Sequence, residues 1–228
     1  MGDELLISRL GEIDYSTGVA LQEQVRQCVG TGECPEVLML LEHPAVYTRG
    51  RRSTAGELPL GEDWYRARGI DVLQTDRGGK VTYHGPGQLV GYPIMRIDDV
   101  LVYLRTMEIA IIAALGDVGL DAHRRRGRDL TGVWVQDKKI ASIGVHISRG
   151  VTTHGFAVNV DNDLAPFDWV VACGLPDVRM TSIQAETGRD NSFELFRERM
   201  AERFCEAFDR EGRVGDLPVQ APPVACPP

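Results

Sequence analysis

"DRGGKVTYHGPGQLVGYP", residues 76–93, sets five glycines and two prolines into eighteen positions. It is nonetheless not a loop throughout, because Lys80 to His84 alternates like a strand and Leu89 to Met95 continues as another. So much glycine beside so few polar side chains (Arg77, Lys80, His84, Gln88) implies backbone drawn close to a ligand. No G-x-x-x-x-G-K-[ST] pattern occurs, which excludes a P-loop. The glycine after Gly85-Pro86-Gly87 stands at 91, one place too late for a dinucleotide fingerprint, and Pro86 would spoil that turn. Taken alone, the stretch also fits a glycine-rich hairpin with its polar side chains in solvent.

Around this centre the chain reads as alternating strands and helices. Leu5 to Leu10 is an expected strand, and Gly18 to Cys28 a helix capped by Ser16 or Thr17. Val37 to Leu41 is a buried strand ended by Glu42-His43-Pro44, residues 48–63 read as loop, and Asp71 to Thr75 as a strand. A long helix is expected over Val100 to Leu120, with Gly119 near its end. Gly132 to Gln136, Lys139 to Ser148 and Thr153 to Val160 form a β region with a turn at Asp137-Lys138, and Ser192 to Phe208 is a final amphipathic helix. The sum is one α+β domain, a large mixed sheet with helices packed against it, over residues 1–217. Residues 218–228 carry five prolines and read as a disordered tail.

Composition narrows the functional classes. With 43% hydrophobic and 25% charged residues the chain is of ordinary globular type. No apolar run is long enough to span a bilayer, and the acidic start Met1-Gly2-Asp3-Glu4 lacks the features of a signal peptide, so a cytoplasmic protein with no membrane partner is expected. A net charge of −8 argues against nucleic acid. Two local reversals of sign, Arg124-Arg125-Arg126-Gly127-Arg128 and Arg49 with Arg51 and Arg52, are either solvated surface or a docking patch for an acidic protein. The five cysteines form no C-x-x-C pair. Cys28 and Cys205 fall in helical patterns as small apolar residues, Cys34 precedes a turn proline, and only Cys173 has neighbours that suggest chemistry.

Four blocks in order carry a resemblance: R-G-G-K-V-T-Y-H-G-P-G-Q at 77–88, LEHPAVYTRGRR from 41, KIASIGVHISRGVTTHGFAVNV from 139, and CGLPDVRMTSI from 173. Together they resemble the lipoyl(octanoyl) transferases. That resemblance implies a fold similar to the catalytic domain of biotin and lipoate protein ligases, and no cofactor or metal. The implied donor is octanoyl-acyl-carrier protein. The implied acceptors are lipoyl domains of 2-oxoacid dehydrogenases and the glycine-cleavage H protein; for oligomeric state, which the sequence does not give, a monomer is the default expectation. It makes Cys173 the nucleophile and Lys139 its partner. Arg77, Gly78, Gly79, Lys80, Val81, Thr82, Tyr83 and His84 would line the substrate site, with Ser142, Ile143 and Gly144 from one block and Gly155, Phe156 and Ala157 from another.

The chemistry is coherent with these residue types. A free thiol has a pKa near 8.5, so a neighbouring ammonium and a cluster of backbone N–H groups are needed to favour the thiolate. Lys139 can supply the first and the turn beginning Cys173-Gly174-Leu175 the second, the latter also serving an oxyanion. Lys138 is the competing candidate. Strand alternation sets Lys139 with Ala141, Ile143 and Val145 on an inward face and leaves Lys138 in the turn. His84 and His154 read as lining residues, His43 as weaker still. Three rivals remain: an ATP-using ligase, which needs no cysteine; a cysteine hydrolase, whose local motifs are missing; and a non-catalytic binder of acylated carrier domains.

Overall fold

The computed structural model describes residues 4–127, 130–171 and 178–219. An eight-stranded mixed sheet forms the body: β1 (Glu4–Glu12), β2 (Glu36–Glu42), β6 (Gln88–Ile94), β7 (Ala122–Arg124), β8 (Gly132–Val135), β9 (Lys138–Ser148), β10 (Val151–Asn159) and β11 (Glu211–Val214). Its order is β11-β1-β2-β6-β10-β9-β8-β7. The β11-β1-β2 edge is parallel and the pairs from β2 to β7 are antiparallel. A second sheet of three strands, β4 (Asp71–Gln74), β3 (Val46–Arg49) and β5 (Val81–His84), lies beside it.

The run Val37-Leu38-Met39-Leu40-Leu41 shows why the large sheet sits at the centre. It has no polar alternation because both of its faces are covered. Leu38 and Leu40 pack with α3 (Val100–Asp117) and α6 (Phe193–Phe208), against Met107, Ile111, Phe196 and Phe204. Val37, Met39 and Leu41 pack on the opposite face with Leu21, Val25 and Val29 of α1 (Tyr15–Thr31). Each such side chain, fully removed from water, contributes roughly 1.5–3 kcal/mol. A third core, with Tyr47, Tyr65, Tyr83 and Phe167, joins the small sheet to α2 (Glu62–Arg66) and α4 (Ala165–Asp168), and the short α5 (Ile183–Thr187) precedes α6. No helix of the described residues is long and apolar enough to cross a membrane.

Several local expectations are corrected. The cap of α1 is Asp14, whose carboxylate accepts the N–H groups of Ser16 and Thr17, so the helix starts three residues earlier than its apolar spacing suggests. The 48–63 segment contains the end of β3, a 3₁₀ turn at Ala55–Glu57 and the start of α2. The turn before β9 is Gln136-Asp137, with Gln136 at φ 52°, and Lys138 already belongs to the strand. Cys28 and Cys34 form a bridged pair, Cα atoms 5.5 Å apart, across the left-handed Gly32 that ends α1. Cys205 is the free cysteine among the described residues, and burial pushes its thiol pKa up.

Asp99 caps α3 as Asp14 caps α1, accepting the N–H groups of Leu101 and Val102. Asp14→Ala and Asp99→Ala are each expected to cost about 1 kcal/mol in urea unfolding, and Ser16→Ala well under half of that. Equal losses at Ser16 and Asp14 would move the cap.

Candidate active site

The opening glycine stretch lies across β9 as the wall of a cavity of about 260 Å³. The Gly78 N–H donates to the Val145 carbonyl at 2.9 Å. A Cβ on Gly144 would stand 2.9 Å from the Gly78 oxygen, so the wall and the strand can approach this closely only with glycine there. Much of the glycine therefore serves backbone-to-backbone packing rather than ligand contact alone. Arg77 turns inward and is buried. Its guanidinium donates to Thr48 of β3, through Nη2 to the carbonyl at 2.6 Å and through Nε to Oγ1 at 3.1 Å. The Arg51 and Arg52 N–H groups donate to the carbonyls of Arg77 and Gly79, which ties the first arginine cluster to the same wall.

The floor is β9 and β10, with Ser142 opposite Ala157 and Gly144 opposite Gly155. Together with Ile143 and Phe156 these residues line the cavity, as do Arg77, Gly78, Gly79, Lys80, Val81, Thr82 and His84. Tyr83 does not. Strand β5 turns it away into the third core, where its ring packs against Tyr47 and Phe167. Alternation along β5 is the signal that separates it from Thr82 and His84. Lys80 lies 3.7 Å from Glu57, whose buried carboxylate also accepts the Val81 N–H.

Lys139 lines one part of the cavity and is 2% exposed. Its N–H donates to the Arg179 carbonyl and its own carbonyl accepts the Thr181 N–H, at 2.8 and 3.0 Å. Its side chain runs beside Trp134, Nζ 5.7 Å from the ring centre. Gly132 permits that course: a Cβ there would meet the Lys139 Cε at 2.8 Å. Lys138 is partly exposed and pairs with Glu186 at 2.5 Å. Simple alternation does not separate the two lysines. A bulge at Val133/Trp134 shifts the pairing, and Ile140 and Ala141 are both fully buried. Burial itself separates them. Cys173 lies outside the described residues. On either side of it, the Val171 N–H is bonded to the Glu57 carbonyl and Met180 bridges to Lys139.

A polar chain links the G-P-G-Q turn to this lysine. His84 Nδ1 contacts Gln88 Oε1 at 2.8 Å, and Gln88 Nε2 donates to Asn159, whose amide donates to the Thr181 carbonyl. Since Gln88 uses its nitrogen for those donations, its oxygen faces His84, which therefore carries its proton on Nδ1. Burial holds the His84 pKa well below the ordinary histidine value. His43 is likewise lowered, to about 4, by burial. It spans the Ile13 carbonyl and the Tyr92 hydroxyl as a structural tie. Val145, on the inward face of β9, lines the cavity too, and Tyr15, Tyr92, Leu104 and Thr131 join the lining without having been foreseen. They come from distant elements, which no single motif groups.

The mixed sheet thus carries a glycine-walled cavity with a buried lysine among its lining residues. The model of the lipoyl protein ligase A/B catalytic domain matches residues 14–205, and the chain belongs to that family. Among its relatives are octanoyltransferases of Mycobacterium ulcerans, 45% identical over 96% of this chain and 92% of the relative, and of Mycobacterium tuberculosis, 44% identical over 95% and 93%. Among solved structures, lipoate-protein ligase A bound with ATP superposes with a TM-score of 0.81, at 22% identity over 95% of this chain and 90% of the other. The Aquifex aeolicus biotin protein ligase follows the same fold with a TM-score of 0.51, at 13% identity over 89% and 68%.

The wall-to-floor approach is testable directly. Gly144→Ala is expected to cost about 1–3 kcal/mol, read as a lowered urea midpoint at unchanged m-value. An unchanged midpoint would mean the wall is not seated on β9.

Proposed function

We propose that this chain transfers an octanoyl group from octanoyl-acyl-carrier protein to a lysine of lipoyl domains, by way of a thioester on Cys173. The observation that carries the reading is Lys139. It is a buried lysine in the wall of a cavity whose strand floor is built of glycine and small or apolar residues, on a chain 45% identical to an octanoyltransferase. The described residues flanking Cys173 are bonded to Glu57 and to Lys139, which supports a nucleophile beside this cavity.

In the proposed cycle the Cys173 thiolate attacks the donor carbonyl, forming one C–S bond and breaking the other. The departing phosphopantetheine thiolate takes its proton from Lys139. The acceptor lysine amine then attacks the acyl-enzyme, a C–N bond forms as the C–S bond breaks, and the amine proton returns to Lys139. Cys173 is left as thiolate beside an ammonium, so the cycle closes without ATP. Burial of Lys139 strengthens its hold on the thiolate because the intervening dielectric is low.

The arginines support a protein substrate of acidic character. Arg124 pairs across β7 with Val133, and Val133 with Ala141, so it stands two strands from β9, about 10 Å away. Arg125 lies over Trp134 at 4.4 Å, and Arg124 and Arg126 are exposed. Arg128 lies outside the described residues. On a chain of charge −8 this reversal of sign, close to Lys139, suits the approach of an acidic carrier.

Intact mass spectrometry with octanoyl-acyl-carrier protein, without ATP or acceptor, tests the reading. The expected result is a gain of one octanoyl group, absent in Cys173→Ala and discharged by a lipoyl domain. Acceptor modified only with octanoate and ATP would show a ligase instead, and no modification at all a binding module. Lys139→Ala should slow adduct formation by at least 100-fold, a loss on the scale of one general acid–base catalyst, while Lys138→Ala leaves it within about threefold. Loss of activity at Lys138 instead would reassign the lysine.

Charge reversal of Arg124 and Arg126 to glutamate is expected to raise KM for the carrier-protein donor at low salt, with the difference shrinking as ionic strength rises. A KM that does not move would make these arginines ordinary solvated surface.

A further inference from the structure

His154 is the unusual residue of β10. It is 3% exposed and has a φ of 57°, a left-handed conformation for a residue with a side chain in the middle of a strand. Such residues are uncommon and persist where the surroundings overdetermine them. Four contacts hold it, one of them between Nε2 and Thr75 Oγ1 at 3.5 Å. Its N–H donates to Gln22 Oε1 of α1 at 2.6 Å, its ring meets the Tyr92 ring edge-on, and its Nε2 lies 2.7 Å from Asp76 Oδ1. The other Asp76 oxygen is 3.5 Å from Nε2 of His146. Because the carboxylate accepts, His154 carries its proton on Nε2. Its Nδ1 is buried with no hydrogen-bond partner among the described residues. The bond from His154 draws the Asp76 carboxyl down to about 2, so the acceptor is charged at any pH near neutrality.

Asp76 is the first residue of the glycine wall. Next to it, Arg77 is fastened to β3 and Gly78 to β9. A wall of consecutive glycines has little stiffness of its own and must be held at its ends. Of the fastenings to the floor strands, Asp76–His154 joins two side chains, whereas Gly78 to Val145 is a backbone bond. In register His154 faces Val145, six residues along β9 from Lys139. At ~3.3 Å per residue that places the pair about 20 Å from the lysine, too far to touch the reacting atoms.

We propose that Asp76 and His154 are positioning residues, a clamp that sets the distance between the glycine wall and the strand floor and so governs how well the acyl donor is held. The assignment rests on the octanoyl-transfer reading. It goes beyond the proposed cysteine and lysine, which act on the carbonyl, by giving ligand placement to a separate pair of which His154 lines the cavity. The strained backbone at His154 is what aims the ring at the wall rather than along the strand.

Asp76 is largely exposed, so Asp76→Ala removes the clamp without cutting into the core. Asp76→Asn keeps an acceptor for the Nε2 proton and loses only the charge. His154→Gly removes the ring while relieving the left-handed backbone. Acyl-enzyme formation would be followed by rapid-quench mass spectrometry over a range of octanoyl-acyl-carrier protein concentrations, giving a half-saturating concentration and a maximal rate. Asp76→Ala and His154→Gly are expected to raise the half-saturating concentration about tenfold and to leave the maximal rate within about twofold, with Asp76→Asn between them and the wild type. Loss of one hydrogen bond to a charged group is of that size. A fall in the maximal rate at unchanged half-saturation, or no change in either, would overturn the assignment. Amide hydrogen exchange at Gly78 gives a readout that needs no turnover: faster exchange in Asp76→Ala supports the clamp and unchanged exchange refutes it. If the wild type forms no adduct, the transfer reading fails, and the exchange result still decides whether the clamp exists.

Discussion

The close passage of the glycine wall over β9 is the constraint on which the rest of the site depends. With Gly78 bonded to Val145 and no Cβ at Gly144, the two backbones approach as near as neighbouring strands do without being one sheet. That spacing makes a slot rather than an open cleft. It also decides which side chains are available inside. Thr82 and His84 face it, Arg77 is drawn off to Thr48, and Tyr83 is turned to the other core. The wall would collapse or swing open if its ends were loose, which is why its neighbours are bonded to it so densely.

Burial of a lysine in such a slot is costly unless its surroundings suit the charge. Here Lys139 is fixed through its backbone on both sides, by Arg179 and Thr181, so its position does not depend on its own side-chain contacts. Thr181, whose N–H bonds Lys139, also accepts the Asn159 amide at its carbonyl, and through Gln88 the network reaches His84. Satisfied buried polar chains of this kind are rigid. The far wall of the cavity and the lysine strand are thereby held in one frame, although they are far apart in sequence.

The elements that could be read from the sequence are those with strong local signals. The buried run of β2, the long α3 and the strands β8 to β10 announce themselves through apolar content. What escaped notice was short, polar or defined by a distant partner. Strand β11 is exposed along its whole length and exists only because it pairs in parallel with β1, some two hundred residues away. Strand β3 lies at the start of what looks like loop, and only its pairing with β4 and β5 identifies it. Within the site, the glycine wall and the two floor strands were legible as motifs, and of the two neighbouring lysines the one expected to face inward is the buried one. The reason for that choice was incomplete, since the bulge beside Trp134 breaks the alternation used to make it. The left-handed backbone at His154 leaves no trace in residue type at all, because its cause is the packing of α1, β6 and the wall around it.

A fold shared with an ATP-bound lipoate ligase raises the question of what separates the two chemistries. A free carboxylate must be activated before an amine can attack it, whereas a thioester already carries a good leaving group. On the proposed reading the difference lies in what attacks first. With a thiol at residue 173 the acyl group can be taken onto the protein and the donor released before the acceptor arrives, so two large protein substrates need never occupy the mouth together. Without that thiol the group must be held as a small activated molecule until the acceptor docks. The demand on the slot then shifts from admitting a protein-borne arm to retaining a free intermediate. The arginines close to Lys139 fit the first demand, because an arm carried on an acidic body must be brought to the mouth before it can enter.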